Sequence, residues 1–234
     1  SASSSEIFAG AMQDNDRATI LGRRSYGKGL VQEPVYFNDG SGIRLTVARF
    51  YSPTGRCIQK PYGEDYRYDI IERYRHGEMM VADSIKINDS LRYETPKGKV
   101  VYGGGGIVPD IFVPIDTAGV TKFMIDGNRK SLIVKYSIKL ADIYRAQLRE
   151  IKTVEQLNAL LNKMNLEKGY LEYAAANGVV PAPGEWEKSE FVVITQLKGL
   201  MGRNTQLDDD AFYPYILKID NAMYPITGKP IQRN

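Results

Sequence analysis

Ser1-Ala-Ser-Ser-Ser-Glu-Ile-Phe-Ala-Gly-Ala-Met-Gln-Asp14 opens the chain and decides the fold of its first domain. Ser3, followed three residues later by Glu6, forms a capping box, and this pattern predicts a helix from Ser4 to Asp14. The helical spacing of four apolar residues predicts one apolar face, made of Ile7, Phe8, Ala11 and Met12.

The next two segments can return the chain to the start of this helix. Asn15 and Asp16 predict the end of the helix, because their side chains compete for backbone hydrogen bonds and favour turns. A helix of this length climbs about 16 Å. Residues 18–22 are a short apolar strand, with Arg17 and Arg23 on either side. Seven extended residues cover roughly 23 Å. The turn Gly27-Lys28-Gly29 is then expected to lie near Ser3.

Ser3 and Lys28 together indicate a nucleophile and a base. A serine hydroxyl becomes a good nucleophile when a base removes its proton, and a neutral lysine amine can be that base. Gly27 and Gly29 allow backbone to pack closely around Lys28, and desolvation favours the neutral amine.

Two further groups fit the same chemistry. The first-turn N–H groups, beginning at Ser4, point to where an oxyanion would form. Gln32 follows Lys28 by four residues, and in an extended segment the two side chains face the same side. The Gln32 amide could therefore orient the Lys28 amine.

Two other interpretations compete with this one. Ser3 can be only a helix cap and Lys28 only a solvated lysine, which would make the chain a non-catalytic interaction module or scaffold. Gly22-x-x-x-x-Gly27-Lys28 also approaches a phosphate-binding loop, but Gly29 stands where that loop needs Ser or Thr, and an extended segment comes next instead of a helix.

Three linked motifs resemble those of the carboxyl-terminal processing proteases, also called tail-specific proteases. They are Ser1-Ala-Ser-Ser-Ser-Glu-Ile7, Gly10-Ala-Met-Gln-Asp14 and Gly27-Lys-Gly-Leu-Val-Gln32. Similar segments occur at 39–51, 52–60 and 101–110, so the resemblance covers residues 1 to 116.

The resemblance implies a role for each candidate residue. Ser3 is the expected nucleophile, Lys28 its base and Gln32 the third member of a Ser-Lys-Gln centre. The backbone N–H of Ser4 is an expected oxyanion donor, and Asp14 is expected to support the site. The chain corresponds to the C-terminal half of such a protease, without the PDZ domain and the first half of the catalytic core, which leaves the activity of this piece alone open.

The resemblance also implies the setting of the enzyme. The substrates are expected to be polypeptides with unstructured C-terminal tails, and no metal or organic cofactor is implied. An exported enzyme in the periplasm or at the cell envelope is expected, and dimer contact is one role open to the helical domain.

Composition agrees with a soluble globular protein of 234 residues. A net charge of +3 is too small to indicate nucleic acid as a partner, and no apolar run approaches the length of a membrane span. Cys57 is the single cysteine, which excludes an internal disulfide and favours a small buried side chain. His76, the single histidine, is interpreted as a surface residue.

The remaining chain predicts an α+β protein: a mixed α/β half of a protease catalytic core over residues 1–119, then an all-helical domain over 120–234. Strands are expected at 35–37 and 43–51, joined by a turn and with one face buried, and at 93–102. Residues 56–92 interleave basic residues with tyrosines, a pattern that can suit single-stranded nucleic acid. Acidic residues dilute that charge and favour a solvated helical insertion.

Helices in the second domain are predicted from apolar spacing and caps. Their expected ranges are 131–151, 153–164, 166–177, 186–201 and 208–224. Asp208, Asp209 and Asp210 can suit a metal, but negative charge at a helix start is the simpler interpretation.

Overall fold

The computed structural model describes residues 3–228, and the chain divides into two compact units, one ending at Ile115 and the other beginning at Asp116. It is an α+β protein whose second unit is helical, as predicted. Ser1 and Ala2 of the serine motif, and residues 229–234 of the predicted helical domain, lie outside the described residues.

Helix α1 spans Ser4–Asp14, the range predicted from the capping box. Asn15 ends it as expected, since its side-chain amide donates to the Ala11 carbonyl at 2.9 Å. The predicted apolar face is not the buried face, because Phe8 is 69% exposed and the buried residues are Glu6, Gly10, Gln13 and Asp14. The polar side chains among them can be buried because each one is hydrogen-bonded.

The strand that returns toward the start of α1 is shorter than predicted. Strand β1 spans Leu21–Gly22 and pairs in parallel with β6, Ile111–Phe112. The preceding residue, Ile20, continues the contact through its carbonyl, which accepts from the N–H groups of Asp110 and Ile111. The helix and this short strand place the following loop beside α1.

Strands β2, Leu30–Tyr36, and β3, Gly42–Arg49, form an antiparallel hairpin across the predicted turn. A β-bulge shifts the register between Val31 and Gln32. The expectation of a buried face is wrong for the described chain, since every residue of β3 is exposed. A strand buries a face only where another layer packs on it, and among the described residues of the first unit no layer covers this hairpin.

Strands β4, Arg92–Glu94, and β5, Val100–Tyr102, form a second hairpin over the predicted turn at 95–98. Between the two hairpins lie helix α2, Asp69–Arg75, and 3-10 turns at Glu64–Arg67, Ala82–Ser84 and Asp89–Leu91. The prediction of a solvated insertion is wrong for several of its residues, because Arg56, Ile58, Arg73 and Glu78 are buried.

The second unit contains eight α-helices among its described residues. They are α3 Lys122–Arg129, α4 Leu132–Ile143, α5 Arg145–Arg149, α6 Val154–Leu161, α7 Leu166–Ala176, α8 Glu185–Gly202, α9 Asp209–Ile216 and α10 Tyr224–Thr227. One apolar core joins α3 to α9, with Leu157, Val193 and Leu197 fully buried. None of the helices within residues 3–228 is long and apolar enough to cross a membrane.

Most helices of the second unit agree with the sequence predictions, but two ranges are wrong. The predicted helix 131–151 is divided at Tyr144, whose backbone leaves helical geometry between α4 and α5. The helix expected at 208–224 ends at Ile216. Asp209 and Asp210 lie in the first turn of α9, which fits the interpretation of the acidic run as a helix start.

Candidate functional site

Ser3 has an unusual backbone conformation at the start of α1. Its φ of 58° and ψ of −122° lie in a region that costs a non-glycine residue free energy. The Ser3 side chain is exposed, and the helix begins at the next residue, Ser4. The N–H of Ser4 therefore belongs to the first turn, in which the Glu6 N–H donates to the Ser3 carbonyl at 2.9 Å.

Glu6 connects Ser3 to the loop that carries Lys28. This residue is only 1% exposed, and its Oε2 accepts from the backbone N–H groups of both Ser3 and Lys28, each at 2.9 Å. Oε1 accepts from the Gly27 N–H at 2.6 Å and from the Ser25 hydroxyl at 2.5 Å. One buried carboxylate oxygen thus bridges the backbones of Ser3 and Lys28, because it accepts one hydrogen bond from each.

The backbone on both sides of Lys28 is fixed by further contacts. The Gly27 carbonyl accepts from the Lys60 N–H at 3.0 Å, and the Gly29 N–H donates to the Gln59 side chain at 3.0 Å. A Cβ at Gly29 would lie 2.7 Å from Ile58, and one at Gly27 would lie 3.1 Å from the Gly106 nitrogen. Glycine is therefore needed at both positions, but the Lys28 side chain between them is exposed and is not enclosed by backbone as the sequence predicted.

The side chains of the predicted catalytic centre are not joined by hydrogen bonds in this structure. Lys28 is exposed, and among residues 3–228 no hydrogen bond connects its amine to the Ser3 hydroxyl or to Gln32. The Gln32 amide instead donates to the Thr46 hydroxyl across the β2–β3 hairpin at 3.3 Å. The structure thus brings together the backbones of Ser3 and Lys28, while Gln32 faces the neighbouring strand.

Asp14 is the centre of a buried ionic cluster at the other end of α1. Its carboxylate pairs with Arg56 at 2.6 Å, and both side chains are fully buried. It also accepts from the hydroxyls of Ser52 and Thr54. Burial alone would raise the pKa of Asp14, but the hydrogen bonds from Ser52, Thr54 and Arg56 outweigh it and hold the pKa below its ordinary value.

This cluster agrees with a supporting role for Asp14 and explains how such support would act. The Arg56 guanidinium also donates to the Gln13 side chain at 2.8 Å and to the Tyr102 carbonyl at 2.8 Å. The last turn of α1 is therefore fixed to the segment at 52–56 and to strand β5. Fixing the helix in this way also fixes Ser3 and Glu6 at its other end.

The remaining candidate residues lie away from Ser3. His76 is exposed, as predicted, and its Nδ1 lies 2.7 Å from the Glu72 carbonyl. Cys57 is only half-buried, which corrects the expectation of a buried side chain. Within the described part of the chain, no group of three His, Cys, Asp or Glu side chains is placed to hold a metal ion.

The linking role of Glu6 and the burial of Arg73 are not apparent from the sequence. The capping box identifies Glu6 only as the partner of Ser3, and this local pattern carries no information about residues 25–28. The contact of Arg73 with this loop joins residues almost fifty positions apart. Periodicity and capping rules describe neighbours along the chain, so no local signal could have found either contact.

The comparisons with known proteins agree with the serine and lysine motifs. Residues 1–68 match peptidase family S41, and residues 123–206 match the family of unknown function DUF8443. The carboxyl-terminal-processing protease of Synechocystis is 51% identical over 59 residues, which are 25% of this chain and 14% of the relative. That of Bartonella bacilliformis is 37% identical over 116 residues, which are 47% of this chain and 25% of the relative.

A probable CtpA-like serine protease of Staphylococcus epidermidis is 41% identical over 70 residues, which are 30% of this chain and 14% of that protein. No solved structure matches the chain. The match to peptidase family S41 is confined to residues 1–68. Two of these three relatives are named carboxyl-terminal processing proteases, which confirms the resemblance predicted from the motifs. The aligned segments span a quarter or less of these three relatives.

Proposed function

We propose that this chain supplies the nucleophile and the base of a serine endopeptidase that cleaves polypeptides near unstructured C-terminal tails. The observation that carries the proposal is the single Glu6 oxygen that accepts from the N–H groups of both Ser3 and Lys28. The unusual backbone of Ser3 adds support, because such strain is concentrated at functional sites. The peptidase relatives support the same class of reaction.

In the proposed reaction, the Lys28 amine takes the Ser3 proton as Oγ bonds to the scissile carbonyl carbon. The Ser4 N–H donates to the resulting oxyanion. The carbon–nitrogen bond then breaks, and Lys28 returns the proton to the leaving amine. Water attacks the acyl-serine in the second half, with Lys28 again accepting and returning a proton.

Gln32 and Asp14 have supporting roles in this proposal. Gln32 would orient the Lys28 amine after exchanging its long, exposed hydrogen bond to Thr46. Asp14 would act through Arg56 by fixing α1 and therefore Ser3. We place the enzyme in the periplasm or at the cell envelope, and we assign the helical unit a scaffolding or dimer-contact role.

Cleavage of a peptide by the full-length protein tests the proposal. Ser3→Ala is expected to abolish cleavage while the protein remains folded, because the attacking oxygen is lost. Ser5→Ala is the matched control, since Ser5 is an exposed serine in the first turn of the same helix, and it is expected to retain activity. Undiminished cleavage by Ser3→Ala would remove the assignment and favour an interaction module.

A further inference from the structure

Helix α2 places a buried arginine against the loop that carries Lys28. The Arg73 side chain is only 4% exposed, although most of α2 faces solvent. Its Nη2 donates to the Ser25 carbonyl at 2.9 Å and lies 3.4 Å from the Gly105 carbonyl. The guanidinium thus joins two backbone segments, the loop before Lys28 and the glycine-rich segment beside it.

Ser25 is fixed through each of its polar groups. Its N–H donates to the Ile107 carbonyl at 3.0 Å, and its hydroxyl accepts from the Ile107 N–H at 2.7 Å while donating to Glu6. Arg73 supplies the remaining contact, to the carbonyl. Arg73 and Glu6 therefore hold the same residue from two sides, three positions before Lys28.

Alternating charges extend this contact along the loop. Glu78 binds Arg24 through two hydrogen bonds of 2.8 and 2.6 Å, and its Oε1 lies 3.1 Å from the Arg73 Nε. That last contact is an ion pair without hydrogen-bond geometry, so the buried Nε has no hydrogen-bond acceptor within the described residues. On the other side, Asp69 lies 3.9 Å from Arg73 and 3.2 Å from the Lys60 amine.

Residues of the 56–92 segment contact four consecutive positions of the loop. Glu78 binds Arg24, and Arg73 binds Ser25. Lys60 then places its amine 4.1 Å from the centre of the Tyr26 ring and donates its N–H to the Gly27 carbonyl. Lys28 is the next residue, and its side chain is exposed.

The chemistry of arginine suits this position better than that of another cation. A guanidinium donates in several fixed directions at once, whereas an ammonium is a compact charge on a flexible stem. Arg73 uses this geometry to reach the Ser25 and Gly105 carbonyls through Nη2, while its charge pairs with the Glu78 carboxylate. Burial and the nearby Arg24 lower the pKa of Arg73, while Glu78, Asp69 and Glu6 oppose that effect.

We propose that Arg73 is a positioning residue for Lys28: it holds the Ser25 carbonyl and so fixes the loop that presents the amine beside Ser3. The inference rests on the proposed protease function, and it extends that function to a helix that begins directly after residues 1–68, the segment that matches the peptidase family. It also gives the 56–92 segment a role in the reaction that its composition did not indicate.

Kinetics and hydrogen exchange on the full-length protein test this role, with Arg73→Met, Arg73→Lys and Arg75→Met compared to wild type. Arg75 is the matched control, because it lies on the same helix with a 71% exposed side chain. Arg73→Met is expected to lower kcat about 10- to 100-fold with KM changed less than about threefold, since small displacements of a catalytic group cost rates of this size. Arg73→Lys is expected to recover part of the loss.

Hydrogen exchange provides the readout that does not depend on catalysis. Arg73→Met is expected to speed amide exchange about tenfold or more in residues 24–29, with little change in α1 beyond Glu6. Arg75→Met is expected to match wild type in both measurements. If Arg73→Met does not fold, Arg73→Lys replaces it, and a lower kcat with faster exchange confined to residues 24–29 remains the expected result.

Either of two kinds of result would overturn the inference. Unchanged kcat or unchanged amide exchange in Arg73→Met would mean that the arginine is unimportant for the loop. Faster amide exchange throughout residues 3–115 would mean that its role is only structural. The proposed function fails separately, through activity retained by Ser3→Ala. The exchange measurement still decides whether Arg73 holds the loop in that case.

Discussion

Replacing Lys28 by alanine in the full-length protein is expected to lower kcat for peptide cleavage by about 10⁴-fold or more. Losses of this size follow the removal of a general base that acts as a unit with its nucleophile. KM is expected to change little, because the Lys28 amine acts on the Ser3 hydroxyl and is not needed for substrate binding. Steady-state kinetics at saturating peptide measures the effect.

Lys28→Arg is the control that separates a base from a simple positive charge. Arginine keeps the charge and most of the side-chain length, but it does not lose its proton in proteins. We therefore expect Lys28→Arg to be as inactive as Lys28→Ala. Substantial activity in Lys28→Arg would mean that this position needs only a cation, and the proton transfer from Ser3 would be wrong.

Replacing Arg56 by methionine is expected to destabilise the first unit by about 3–5 kcal/mol. Removing one partner of a fully buried ion pair leaves the other charge uncompensated, and here Asp14 would lose its closest cation. Amide hydrogen exchange of residues 3–115, followed at increasing urea concentrations, measures the change in the free energy of unfolding for this unit alone. Arg44→Met is the control, since Arg44 is exposed on β3, and it is expected to change stability by less than about 0.5 kcal/mol.

The pH dependence of stability gives a second test of the same pair. Because the folded-state pKa of Asp14 is lowered, its ionised form stabilises the fold above the unfolded pKa of about 3.9. That contribution is lost as the pH falls through the folded pKa. The stability advantage of wild type over Asp14→Asn should therefore be constant above about pH 5 and should shrink below about pH 4. Two results would contradict a structural role for this pair. One is that Arg56→Met lowers the free energy of unfolding by less than about 1 kcal/mol. The other is that the stability difference between wild type and Asp14→Asn does not depend on pH.

Elements defined by local signals could be predicted from the sequence. The capping box at Ser3 and Glu6 predicts the start of α1 and Asn15 predicts its end, while the turn at 95–98 predicts the hairpin of β4 and β5. Thr153 caps α6, and Gly178 follows α7 with a positive φ. In each case, the interaction that decides the structure lies within a few residues of the signal.

Features that depend on distant contacts could not be predicted. The apolar spacing of Ile7, Phe8, Ala11 and Met12 did not indicate the buried face of α1, because Arg56 compensates the burial of Asp14 from 42 positions away. The burial of Arg73 likewise depends on a carbonyl in another loop. In the candidate site, the sequence predicted Ser3 and Lys28 as a pair, but the carboxylate between them emerges only from the fold.

The most direct test of the central claim is to trap the acyl-enzyme of the full-length protein and locate the acyl group. Acid quenching during peptide cleavage, followed by proteolytic digestion and mass spectrometry, would identify the modified residue. We expect the substrate acyl group on Ser3 in wild type and none in Lys28→Ala. An acyl group on another residue, or the same amount on Ser3 without Lys28, would contradict the proposed proton transfer.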